Sequence, residues 1–190
     1  MAYCTKTDLR NQVIYSIYVR NYSEEGTFLE VEKDLDRIKG LGVDIIWFLP
    51  IYPIGQEKRK GILGSPYAIA DYRKVNPELG TMDDLAELAE QCHEKGISLC
   101  MDFVMNHTSE DHEWAVKARR GDGEYMSRYF FYADPAVPQE YEKTVPQVFP
   151  TTAPGNFTYL PELGHYVMTT FYPYQWDLNY RNPRVFNEMM

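Results

Sequence analysis

An alternation of strand-length apolar runs with helix-period stripes over residues 13–104 constrains this chain more than any other feature of its sequence. Val13-Ile-Tyr-Ser-Ile-Tyr18 is β-branched and aromatic and has the length of a strand. Phe28, Val31, Leu35, Ile38 and Leu41 then recur at helical spacing. Thr27 and Glu30 open that helix in the pattern of a capping box, and Gly40 and Gly42 supply its exit. Val43-Asp-Ile-Ile-Trp-Phe-Leu49 predicts a second strand, buried on both faces and stopped by Pro50. A long loop over 51–80 carries the basic tip Glu57-Lys-Arg-Lys60. Thr81, with Asp84 three residues on, starts a second helix whose stripe is Leu85, Leu88, Ala89 and Cys92, closed by Gly96. Ile97-Ser-Leu-Cys-Met-Asp-Phe-Val104 is the third strand. This β-α-β-α-β order with near-continuous apolar strands calls for a parallel sheet with right-handed crossovers, an α/β fold.

The rhythm breaks after 104. Residues 105–181 are rich in aromatics, Pro and polar side chains and show only a short helical stretch near Trp114 to Arg119. So long an irregular excursion marks a functional insertion. Asn182-Pro183 restarts a helix, with Asn as N-cap and Pro at the first helical position. The expected division is 1–104 for the first β/α units, 105–181 for the insertion and 182–190 for the start of a third helix. A closed eight-stranded barrel needs roughly 250 residues. The expectation is therefore a partial (β/α)8 barrel of three strands and two helices, a fragment marginally stable alone because its apolar edge and interior lie open.

Composition narrows the partners. The net charge is −9, against the Lys and Arg excess that nucleic-acid binding requires. No stretch approaches the roughly 20 apolar residues of a membrane span, and the N-terminus lacks a signal-peptide core. Cys4, Cys92 and Cys100 are an odd number without metal-ligand spacing, and Cys92 and Cys100 fall in apolar runs. These features predict a cytoplasmic chain with structural thiols, no nucleic acid and no membrane as partners, and no metal ligands. Aromatic residues make up 15% of the chain. They can fill a core or stack on the C–H faces of sugars.

The chemistry concentrates near the third strand. Asp102 lies at the end of an apolar strand, where an unpaired charge would be expensive, so it needs a partner or a function, and in a parallel barrel that end is the active-site face. Met101-Asp102-Phe103-Val104-Met105-Asn106-His107-Thr108-Ser109 resembles the first signature segment of the α-amylase family, glycoside hydrolase family 13. Two further stretches agree with it. Gly64-Ser-Pro-Tyr67-Ala-Ile-Ala-Asp71-Tyr72, running on to Thr81, resembles the family's second-strand loop, and Gln175-Trp-Asp177-Leu-Asn179 is similar to the short signature of its inserted domain B. The stretches Tyr129 to Pro150 and Thr169 to Tyr180 look closest to the amylosucrase branch.

The resemblance implies a role for each matched residue. His107 would bind the sugar beside the cleavage point and stabilise the transition state. Tyr67 would stack on that sugar ring. Asp102, Asn106 and Asp177 would support the site, with Asn106 and Asp177 anchoring domain B. No cofactor is implied beyond calcium, to which the residue equivalent to Asn106 contributes in many amylases. The Asp-rich calcium loop after the first strand is absent, since Asn21-Tyr-Ser-Glu-Glu-Gly26 lacks alternating oxygen ligands. Retaining glycosidases need a nucleophilic carboxylate and an acid/base carboxyl about 5 Å apart. In the family these lie on the fourth and fifth strands, and Asp102, Glu162 and Asp177 match neither role. The expectation is the N-terminal part of a glycoside hydrolase or transglucosylase acting on α-glucosidic bonds in α-glucan, sucrose or malto-oligosaccharide, inactive as this fragment. The alternative is a non-catalytic relative that binds carbohydrate or a partner protein.

Overall fold

The computed structural model describes residues 7–190, so Cys4 lies outside the described residues. The chain divides into two compact units. The first comprises the described residues up to Pro53 together with Arg73–Phe103, and the second Ile54–Tyr72 with Val104–Met190.

In the first unit β1 (Ile14–Ile17), β2 (Ile45–Phe48) and β3 (Ser98–Met101) form a parallel sheet in the order β1-β2-β3. The register sets Ile17 beside Phe48 and Phe48 beside Met101. Between the strands run α1 (Phe28–Lys33), α2 (Leu35–Gly40) and α3 (Met82–Glu94). Their apolar stripes bury Phe28, Val31, Leu35, Ile38, Leu88 and Cys92 against Ile17, Ile46 and Phe48. Each such side chain contributes about 1.5–3 kcal/mol by leaving water.

Four expectations need correction here. The face of the strands that carries Ile14 and Trp47 is uncovered: Ile14 is 60% exposed and Trp47 37%. Cys100, expected in the core, lies on that open side of the register and is exposed, while Cys92 is buried. The capping box at Thr27 does not form. Glu30 turns to Lys33, and the Phe28 N–H at the first helical position reaches the Leu79 carbonyl at 2.9 Å. Asp34 leaves helical geometry (φ −101°, ψ 3°), its carboxylate engaged by Tyr22 and Arg37, and so divides the expected helix into α1 and α2. The capping box does form at α3. Thr81 Oγ1 accepts from the Asp84 N–H at 3.1 Å, and Asp84 Oδ2 accepts from the Thr81 N–H at 2.6 Å. Gly96 ends that helix at φ +65°, where a side chain would be strained.

The second unit is more regular than its sequence predicts. β4 (His107–Ser109) pairs antiparallel with β8 (Gln175–Asp177), and β5 (Phe131–Tyr132), β7 (His165–Met168) and β6 (Phe157–Leu160) form an antiparallel sheet in the order β5-β7-β6. Helices α4 (Glu113–Arg119), α5 (Gly123–Met126), α6 (Ala136–Thr144) and α7 (Pro183–Met189) complete it. Trp114, Ala115, Tyr129, Val167, Trp176, Leu178 and Val185 form its core. The α6 helix escaped the sequence reading because Pro138 lies in its first turn, where a missing N–H costs nothing. Asn182 caps α7 as expected, accepting from the Arg184 N–H at 3.0 Å with Pro183 at the first position. No helix among the described residues is long and apolar enough to cross a membrane.

Candidate functional site

Strand alternation builds the site. In the β4–β8 ladder His107 stands opposite Asp177, Thr108 opposite Trp176 and Ser109 opposite Gln175. Side chains two apart share a face, so His107, Gln175 and Asp177 project to one side while Trp176 enters the core on the other. The loop over 54–72 is tied to the same ladder. The Ser109 N–H reaches the Ile69 carbonyl at 2.9 Å, and the Asp111 carboxylate accepts from the backbone N–H groups of Gln56 and, at 2.9 Å, Glu57. Glu110, fully buried, holds Lys58 at 3.0 Å and also pairs with Arg119. Gly55 permits the close approach, since a Cβ there would sit 1.9 Å from Ser109 Oγ.

That loop delivers Tyr67. Its backbone carbonyl lies 3.1 Å from His107 Nε2, and its ring is 37% exposed. The His107 ring is 3% exposed and packs on Phe171 with centroids 5.0 Å apart. Its Nδ1 lies 3.2 Å from Asn106 Nδ2, and its Nε2 also lies 2.9 Å from Gln175 Nε2. Burial pushes the imidazole down to about 4, against the opposing pull of the Tyr67 carbonyl. The two amide N–H groups around the ring act in the same direction, because an imidazolium would meet donors with donors. His107 is therefore neutral at pH 7.

Asp177 is the acidic counterpart. Asn106 Nδ2 donates to its Oδ1 at 3.2 Å, the Thr170 N–H does so at 3.3 Å, and the Thr170 hydroxyl donates to Oδ2. Burial pushes this carboxyl up to about 6, and the donated hydrogen bonds offset part of that rise. The structure thus gathers Tyr67, Asn106, His107 and Asp177 in one unit. Asp102 belongs to the other unit, directly after the C-terminal end of β3, half-buried, with its N–H donating to the Phe48 carbonyl at 2.8 Å. Asn179 spends its amide on the Ser127 carbonyl at 3.2 Å, and Glu162 pairs with Arg119 at 3.2 Å.

Calcium does not fit these residues. The ion takes six to eight oxygen ligands, and Asn106 with Asp177, tied to each other through the Asn106 amide nitrogen, gather far fewer. Among the described residues no group of three or more His, Cys, Asp or Glu is arranged to hold a metal ion.

Sequence reasoning missed several members of the site. Gln175 sits inside a motif that was singled out, and the Gln-Trp-Asp alternation already placed it on the face of Asp177. Tyr72, the last residue of the stretch that resembles the second-strand loop, sets its hydroxyl 2.6 Å from the His107 carbonyl and 2.8 Å from that of Val104. Phe171 lay within an aromatic run with no local signal to single it out.

The model of the α-amylase catalytic domain matches residues 12–190. The chain belongs to the α-amylase family. This α-amylase-family chain is 33% identical over 187 residues to a trehalose synthase of Pimelobacter sp., covering 95% of itself and 31% of that protein. It is 31% identical over 186 residues to an oligo-1,6-glucosidase of Heyndrickxia coagulans, covering 95% of itself and 32% of the relative. Among solved structures it superposes on trehalulose synthase from Pseudomonas mesoacidophila with a TM-score of 0.81 at 28% identity, covering 98% of itself and 33% of that chain. An α-amylase from Lactobacillus plantarum gives 0.71 at 38% identity, with 97% and 35% covered. The chain thus spans about a third of the length of the relatives it matches.

Proposed function

We propose that this chain supplies the first three β/α units and domain B of a barrel enzyme that cleaves or transfers α-glucosyl groups, with His107 and Tyr67 contacting the sugar. The observation that carries the reading is the neutral, buried His107 held on three sides beside the partly exposed Tyr67. A neutral imidazole can hydrogen-bond a sugar hydroxyl without the desolvation cost of a charge, and an aromatic ring can cover the apolar face of a pyranose. Asn106 and Asp177 hold His107 from its Nδ1 side, and Asp102 serves as a supporting residue on the barrel side. The division into 1–104, 105–181 and 182–190 belongs to this reading.

Double displacement needs two carboxyls about 5 Å apart. None of Asp102, Glu162 and Asp177 is assigned to that pair, so turnover belongs to the whole protein and this chain contributes binding. The test is calorimetric titration of the chain with maltose and sucrose, alongside Tyr67→Ala and His107→Ala. Tyr67→Ala should weaken binding by about 1 kcal/mol, roughly fivefold, and His107→Ala by more. Equal affinity in all three proteins would remove both residues from the sugar site.

A further inference from the structure

The hydrogen-bond inventory around His107 does not close with one proton position. Gln175 is buried, and its Oε1 accepts from the Tyr172 N–H at 3.2 Å, which turns its NH2 group to His107 Nε2 at 2.9 Å. Asn106 is turned by Asp177 in the same manner, so its NH2 group faces Nδ1 at 3.2 Å. The Tyr67 carbonyl, an acceptor, lies 3.1 Å from Nε2. A neutral imidazole carries a single N–H. With the proton on Nε2, the ring donates to Tyr67 and accepts from Asn106, while Gln175 faces an N–H. With the proton on Nδ1, the ring accepts from Gln175, while Asn106 faces an N–H and the ring no longer donates to the Tyr67 carbonyl.

We propose that Gln175 is a positioning residue for His107, competing with the Tyr67 carbonyl for Nε2 and holding the neutral ring between its two tautomers. This rests on the reading of His107 as a sugar contact and gives that contact a property of its own. A hydroxyl of the sugar can meet the same nitrogen as donor or as acceptor. The amide that would otherwise decide the matter is fixed by backbone rather than by solvent. Two satisfied contacts against one favour the Nε2–H form, by no more than about tenfold. Removing the Gln175 donor leaves nothing to stabilise the minor form.

The experiment is long-range nitrogen–proton correlation NMR of the imidazole rings in the uniformly labelled 190-residue chain at neutral pH. Tautomers differ in which ring nitrogen carries the protonated shift. Wild-type His107 should show intermediate shifts from both forms. Gln175→Met, of similar length without a donor, and Gln175→Glu, which offers an acceptor, should both move the ring to the Nε2–H form. A wild-type ring wholly in the Nε2–H form, or a Gln175→Met ring with unchanged shifts, overturns the proposal. The wild-type spectrum decides even if a variant fails to fold. Adding maltose to the same samples tests the sugar reading separately: a mixed tautomer with no maltose response keeps Gln175 as the positioning group and removes the sugar.

Discussion

His107 and Asp177 face each other across the β4–β8 register with proton affinities shifted in opposite senses, and this makes the pH dependence of stability a direct probe of the site. Burial lowers His107 from 6.5 to about 4. The unfolded chain then holds the extra proton between those values, so this group's contribution to stability grows as pH rises from 4 to 6.5. Burial raises Asp177 from 3.8 to about 6, so the folded chain holds that proton more tightly, and stability is lost as pH rises through the same window. At 1.36 kcal/mol per unit, each effect is worth about 3 kcal/mol. In the wild type the two cancel to within about 1 kcal/mol. Asp177→Asn removes one half, and its stability relative to wild type should climb by about 3 kcal/mol between pH 4 and 6.5. His107→Gln removes the other half, and its relative stability should fall by a similar amount over that range. The titratable groups facing the carboxyl are His107 and the Tyr141 phenol, and the phenol stays protonated throughout. Urea midpoints at half-unit pH steps provide the assay. Difference curves flat with pH for both variants would refute the claim that burial holds both groups in their neutral forms between pH 4 and 6.

Three further outcomes follow from the loop over 54–72. Gly55→Ala should destabilise the chain by about 1–3 kcal/mol, because its Cβ would meet Ser109 Oγ, and Ser109→Gly in the same chain should recover most of that loss in thermal unfolding. Glu110→Gln removes the buried carboxylate that Lys58 and Arg119 share, leaving Arg119 with Glu162, and a loss of about 2 kcal/mol in urea unfolding is expected. Calcium and a chelator should leave the melting temperature unchanged, given that Asn106 and Asp177 satisfy each other; a calcium-dependent rise would reopen the metal reading.

The first unit was legible because its signals are local and periodic. Leu85, Leu88 and Cys92 mark α3 at helical spacing, and Thr81 with Asp84 marks its start. The same pattern misled at Thr27, where Glu30 pairs with Lys33 and no side-chain cap bond forms. Cys100 was misplaced because an apolar run does not tell which face of a strand is covered. The second unit hid its sheets in strands of two to four residues with mixed polarity, too short for a period to register. Motif resemblance pointed to His107, Asn106, Asp177 and Tyr67, which the structure brings together in one unit. It did not find Gln175 as a ring partner, because that contact depends on how β8 registers against β4.

The central claim is that His107 and Tyr67 jointly meet a sugar. The measurement that reaches it most directly is titration of the labelled chain with maltose while the His107 ring nitrogens and the Tyr67 ring protons are followed together. The account predicts that both respond along one binding curve, and that Tyr67→Ala weakens the His107 response. Maltose binding that shifts other residues while these two stay fixed would contradict it.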